Sequence, residues 1–167
     1  MKHWIKSAFL TASLVFWVSS ATAQDNPEGP LVAELAVERV EMNEETKEET
    51  LTAADAASPG DLLQYTGRYT NTSEEPLAGL VINGPIPANT IFDEGGLSIS
   101  QEADLEVLIE GEAWQGLPAS KTVTMQDGSK KRVPATPADY RQIRWRLTDV
   151  LAPEATLVTA YRVRVAQ

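Results

Sequence analysis

The chain has 167 residues, with 14 Lys and Arg against 24 Asp and Glu, no Cys and a single His. So acidic a chain disfavours nucleic acid and anionic membranes as general partners. The one His is His3, inside a segment that reads as a removable export signal. The mature chain then has neither His nor Cys, which excludes Ser-His-Asp and Cys-His nucleophile systems and His- or Cys-ligated metal centres.

The export signal is expected over residues 1–23. A basic start, Met1-Lys2-His3-Trp4-Ile5-Lys6, precedes an apolar run over 7–18 and the small-residue site Ala21-Thr22-Ala23. The run is about 12 residues, against the roughly 20 that a bilayer span needs. No Cys follows for a lipid anchor, and no second apolar stretch appears. The expected product is a bacterial periplasmic or extracellular protein with no transmembrane anchor. Residues 24–30, with Asn26-Pro27-Glu28-Gly29-Pro30, read as a flexible leader, and 31–167 as one domain.

Charge is unevenly spread. Residues 24–120 carry 20 acids against Arg39, Lys47 and Arg68, while residues 121–167 carry nine Lys and Arg against four acids. Such a split within one domain suggests cross-strand ion pairs or head-to-tail association.

Along the chain, Leu31, Ala33, Leu35 and Val37 alternate to one side of a strand reaching Met42. Asn43-Glu44-Glu45-Thr46-Lys47 turns into a returning arm. A helix over 44–57 is the competing reading, but it lacks an apolar stripe. Ser58-Pro59-Gly60-Asp61 is a turn, since Pro fixes φ and Gly supplies positive φ. Leu63, Tyr65 and Tyr69 alternate with Gln64, Arg68 and Thr70, which predicts a half-buried strand. A further strand is expected over 77–82, broken at Asn83-Gly84-Pro85, and a short one over 90–92, broken at Gly95-Gly96.

Leu105, Val107 and Ile109 alternate with Glu106, Leu108 and Glu110, and residues 114–119 read as a loop. Asp127-Gly128 sits between two arms as a strong hairpin signal. Ile143, Trp145 and Leu147 face one way with Arg144 and Arg146 opposite. Leu157, Thr159, Tyr161, Val163 and Val165 face one way with Arg162 and Arg164 opposite. Short strands with a turn every 8–15 residues predict an all-β, immunoglobulin-like antiparallel sandwich of about 7–9 strands, with a closed barrel as the alternative.

The run Ser58-Pro59-Gly60-Asp61-Leu62-Leu63-Gln64-Tyr65-Thr66-Gly67-Arg68-Tyr69-Thr70-Asn71-Thr72 resembles the opening of DUF11-type conserved-repeat domains, with their Pro-Gly-Asp turn, alternating Tyr and Asn-Thr end. Residues 80–90 resemble that family's Pro-x-Pro corner, and residues 139–147, 151–153 and 161–165 its closing strands. Two departures are Glu154, where the family often has Gly, and the stretch over 110–117. The resemblance implies an immunoglobulin-like sandwich of a bacterial envelope protein. It brings no catalytic residues and no cofactor.

The candidate binding residues are Arg144, Arg146, Arg162, Arg164 and Trp114. If the last two strands pair directly, the four arginines stand as like charges opposite one another, which is unfavourable without neutralisation. They then form either an anion- or partner-binding face or ion pairs with Glu106 and Glu110. Trp114, beside Gly111 and Gly116, is either a loop anchor that stacks on a sugar ring or a partner, or a plug over one end of the sandwich.

The carboxylates from Glu102 to Glu112 are spaced as one solvent face rather than as a glycosidase pair. Ser120-Lys121 and Ser129-Lys130 point to opposite faces of a strand, so neither is a natural dyad. Asp93-Glu94-Gly95-Gly96 and Asp127-Gly128 lack the Asp-x-Asp-x-Asp-Gly pattern of a calcium loop. The expectation is therefore a non-enzymatic interaction or structural domain, whose partner is another envelope protein or a second copy. A glycan- or small-ligand-binding module is the alternative.

Overall fold

A computed structural model describes residues 29–167. The expected export signal and most of the expected leader lie outside these residues. Eleven strands follow in chain order: β1 Leu31–Met42, β2 Glu49–Ala53, β3 Leu62–Asn71, β4 Val81–Pro85, β5 Thr90–Ile99, β6 Ala103–Ile109, β7 Gln115–Gly116, β8 Ser120–Thr124, β9 Lys130–Pro134, β10 Tyr140–Leu147 and β11 Thr156–Val165. A 3-10 turn over Pro137–Asp139 leads into β10. No helix among the described residues is long and apolar enough to cross a membrane.

Nine strands build two antiparallel sheets, of order β2-β1-β3-β11-β5 and β4-β10-β6-β7. Both sheets keep free edges, so the fold is a sandwich and not a closed barrel. β8 and β9 form a separate two-stranded sheet. β3 lies at the centre of the larger sheet, with Leu35 opposite Gly67 and Tyr161 opposite Tyr65. β10 lies between β4 and β6, with Trp145 opposite Ile82 and Arg144 opposite Glu106.

The period-two pattern explains the core. Ile143, Trp145 and Leu147 from β10, with Val107 and Ile109 from β6, meet Leu157, Tyr161 and Val163 from β11, Leu63 from β3 and Phe92 from β5. Burying each large apolar side chain is worth about 1.5–3 kcal/mol. Tyr161 stacks on Tyr65 at 5.0 Å between ring centroids, and Trp145 meets it tilted at 6.0 Å. Asn71 is fully buried at the end of β3. Its Nδ2 donates to the Glu75 and Leu151 carbonyls at 2.8 and 3.0 Å, and its Oδ1 accepts from the Ser73 amide and hydroxyl. One side chain thus ties the loop after β3 to the loop before β11.

Several local readings change. The segment over 44–57 returns as β2 on β1, because an arm without an apolar stripe gains more from ladder pairing than from a solvated helix. β4 runs through Asn83 and Gly84 to Pro85, an edge position where Pro costs no ladder bond. β5 continues through Gly95-Gly96. Its register against β11 slips between Ala160 and Arg162, and a Cβ on Gly96 would overlap the Arg162 stem, so the glycine lets that stem cross the strand. Gln115–Gly116, expected as loop, pair with Val107 and Glu106 as β7.

Candidate binding surfaces

The four arginines do not share a surface. β10 and β11 belong to different sheets, so Arg144 and Arg146 lie on one outer face of the sandwich and Arg162 and Arg164 on the other. The like-charge clash that direct pairing of these strands would bring does not arise, and three acids serve the four arginines, with Glu106 shared by Arg144 and Arg146. Arg144 Nε donates to Glu106 Oε2 at 2.6 Å, and Arg146 Nη2 reaches the same oxygen at 3.5 Å. Arg162 meets Glu49 at 2.7 Å and Gln64 at 2.9 Å, and Arg164 lies 3.9 Å from Asp93. Glu110 pairs with Arg141 instead, at 3.9 Å. Neutralisation within the fold is therefore what the structure presents, with Glu49 and Asp93 serving the β11 pair in place of Glu106 and Glu110. The hydrogen bond from Arg144 holds the Glu106 carboxyl below its ordinary value, and that from Arg162 does the same for Glu49.

Trp114 is half-buried beside β7. The Arg144 guanidinium carbon stands 4.2 Å from the ring centroid, a cation–π arrangement. One face of the indole is thus already taken, which leaves at most the other for a sugar ring.

The charge split takes a definite shape. The β1–β2 hairpin is closed by Asn43, whose Oδ1 accepts the amides of Glu45 and Thr46 at 2.9 and 3.1 Å. Glu38, Glu44, Glu45 and Glu48 on this hairpin make no ion pair among the described residues, and β2 is a free sheet edge. The β8–β9 hairpin turns at Asp127-Gly128, with Gly128 at φ 82° and the Asp127 carboxylate accepting from Ser129 at 2.6 Å. Its Lys121 is paired to Asp139 at 2.5 Å and its Arg132 to Glu112 at 3.2 Å. Lys130 and Lys131 are exposed and make no ion pair among the described residues. Beside them Met125 is 46% exposed. A two-stranded hairpin standing off both main sheets gains little from its own pairing.

A second feature was hidden from the sequence. The alternating face of β1 does point inward, yet Leu35 is 76% and Val37 37% exposed, because the smaller sheet ends at β4 and nothing among the described residues covers β1. The gap is a cleft of about 170 Å³ lined by Leu35, Val37, Tyr65, Tyr69, Trp145 and Tyr161. Gly84 of β4 forms part of its wall, where a Cβ would come within 2.8 Å of the Tyr161 ring. The alternation in β1 marks its apolar side, but strand pattern carries no information about how wide the opposing sheet is.

No protein-family model matches the chain, and no curated protein matches its sequence.

Proposed function

We propose that this chain is an exported, non-enzymatic envelope domain that works as a protein-interaction module, joining head to tail through its two oppositely charged hairpins. The observation that carries the reading is the pairing state of their charges. On the β1–β2 hairpin Glu44, Glu45 and Glu48 are left without partners, and on the β8–β9 hairpin so are Lys130 and Lys131. Arg39, Glu41 and Glu49 of the first hairpin and Lys121 and Arg132 of the second are paired within the fold, while Glu34, Glu38 and Lys47 of the first make no ion pair among the described residues. Both hairpins also border free strand edges, which are natural docking elements. An acidic surface and a basic surface at different places on one molecule make a heterologous contact, which extends into chains unless the rotation happens to close.

The export pattern of residues 1–23 and the resemblance to conserved-repeat envelope domains support the compartment. The absence of His and Cys after residue 23 removes the commonest catalytic and metal-ligating side chains.

Charge reversal with rescue tests the reading. Lys130→Glu with Lys131→Glu should abolish association of the purified protein with itself. Glu44→Lys with Glu45→Lys and Glu48→Lys should do the same. Mixing the two variants should restore it, because each then meets the opposite sign at both contacts. Two variants that associate as the parent does, or a mixture that stays monomeric after both have lost association, would contradict it.

A further inference from the structure

We propose, resting on the head-to-tail association above, that the free edge of β2 in one molecule takes up β9 of a second copy as an antiparallel strand. Backbone parity shows which groups the two edges offer. Asn43 N–H donates to the Glu48 carbonyl at 2.9 Å and Ala54 N–H to the Val37 carbonyl at 3.3 Å. With Met42 opposite Glu49 and Val40 opposite Leu51, the even-numbered positions of β2 bond to β1. Glu49, Leu51 and Ala53 therefore turn their N–H and C=O groups to the free edge. In the other hairpin Met125 N–H donates to the Ser129 carbonyl at 2.8 Å and Ala135 N–H to the Ala119 carbonyl at 3.0 Å. The odd-numbered positions of β9 thus bond to β8, and Lys130 and Arg132 present their backbone groups outward. All five residues are exposed.

The far side of the small sheet is closed by side chains. Thr122 N–H donates to the Glu112 carboxylate at 2.7 Å and Ser120 N–H to Gln115 Oε1 at 3.1 Å, while the Ser120 carbonyl accepts from Gln115 Nε2 at 2.8 Å. β8 is thereby capped and β9 is left bare. β2 contains no Pro, no Lys and no bulge, the usual devices that blunt an edge strand.

Charge selects which edges meet. With Glu49 opposite Arg132 and Leu51 opposite Lys130, each outward pair exchanges two backbone bonds. Glu49 then lies diagonal to Lys130 on one face of the joint, and Glu48 diagonal to Lys131 on the other. Glu48, Lys130 and Lys131 make no ion pair among the described residues of the single molecule, so the joint supplies the partners that the fold does not. β9 against β9 sets the three positive side chains of Lys130, Lys131 and Arg132 against three more, and β2 against β2 joins two acidic hairpins. Like edges repel, and unlike edges attract.

The test is hydrogen exchange of the purified mature protein, read at single-residue resolution at low salt, where it associates, and at high salt. The amides of Glu49, Leu51, Lys130 and Arg132 are expected to slow by about tenfold or more at low salt. Leu51→Pro removes an outward N–H that the single molecule does not use, at an edge position that accommodates Pro. It should weaken association by about tenfold, with the melting temperature at high salt unchanged. Leu51→Ala keeps the amide and should associate within about twofold of the parent. Exchange in the parent decides the matter even where Leu51→Pro unfolds. Association that high salt abolishes, while the four amides exchange as in the monomer, would overturn strand pairing and leave the charged-hairpin reading standing. Slowing at β2 alone would also overturn it, because that result marks two β2 edges joined. A protein that stays monomeric at low salt contradicts both readings.

Discussion

The guanidinium of Arg144 is held between two groups of different kinds: the Trp114 ring, 4.2 Å away, and the Glu106 carboxylate, 2.6 Å away. Arg144 makes the hydrogen bond through Nε while its guanidinium carbon lies over the ring. Lys offers a point charge and cannot do both. Trp114 is thereby fixed against β10, so the short β7 and the turn before it gain an anchor that two ladder pairs alone would not give.

Glu106→Gln is expected to lower stability by about 1 kcal/mol, since one charge-assisted bond is lost and Arg144 and Arg146 are left as unneutralised like charges on a largely solvated face. The pH dependence has a definite sign. The Glu106 carboxyl sits below its ordinary value of 4.5 in the folded chain, chiefly through the Arg144 hydrogen bond. Its contribution is therefore present above pH 4.5 and is lost as pH falls below that value through the folded one. Asp139, held down by Lys121, and Glu49, held down by Arg162, act in the same direction. Urea unfolding at several pH values should show a decline of stability below pH 4.5 that is shallower in Glu106→Gln.

Gly96→Ala tests the crossing of the Arg162 stem over β5. The added Cβ overlaps the near end of that side chain, which cannot swing aside as a flexible tip would. The expected cost is about 1–3 kcal/mol, the range for an overpacked site. Because Arg162 reaches Glu49 on β2, displacing it should also loosen the edge strand. Hydrogen exchange should speed up at the β2 amides. Unchanged exchange there, together with unchanged stability, would mean that the strut carries nothing.

Asn71→Ala removes the side chain that satisfies the carbonyls of Glu75 and Leu151 and receives the Ser73 hydroxyl. Each of those groups loses one partner, while the Leu151 carbonyl keeps the Leu77 amide and the Glu75 carbonyl keeps the Ser73 hydroxyl, so with Asn71 fully buried the loss should be about 1–3 kcal/mol. Asn71→Asp keeps the acceptor toward Ser73 but not the two donations, so it should fall close to Ala. Thermal unfolding of the two variants beside the parent decides this.

Much of this architecture is legible in the sequence, because the strand period of two and the turn chemistry of Pro59-Gly60 and Asp127-Gly128 are local signals. The inward sides of β3, β6, β10 and β11 follow from alternation alone. What alternation cannot supply is which sheet a strand joins. Arg144 and Arg162 therefore read as neighbours from their positions in the last two strands, yet the fold sends them to opposite faces. The same gap hides the cleft: Leu35 and Val37 carry a core pattern, and among the described residues no strand lies beyond β4 to cover them. Glu49 as the partner of Arg162 was also out of reach, since the two are 113 residues apart and meet only once β2 folds back on β1. The acidic and basic segments, in contrast, were visible as a count of charges. The fold adds which of those charges are already spent.

The proposed association rests on charge, so its most direct measurement is sedimentation velocity of the purified mature protein over a concentration series at low and high salt. At about 0.01 M ionic strength the Debye length is about 30 Å, and at 1 M about 3 Å. The account predicts weight-average sedimentation coefficients that climb with concentration at low salt without stopping at a dimer, and a single monomeric species at high salt. A monomer at every concentration in low salt, or an oligomer indifferent to salt, would contradict it.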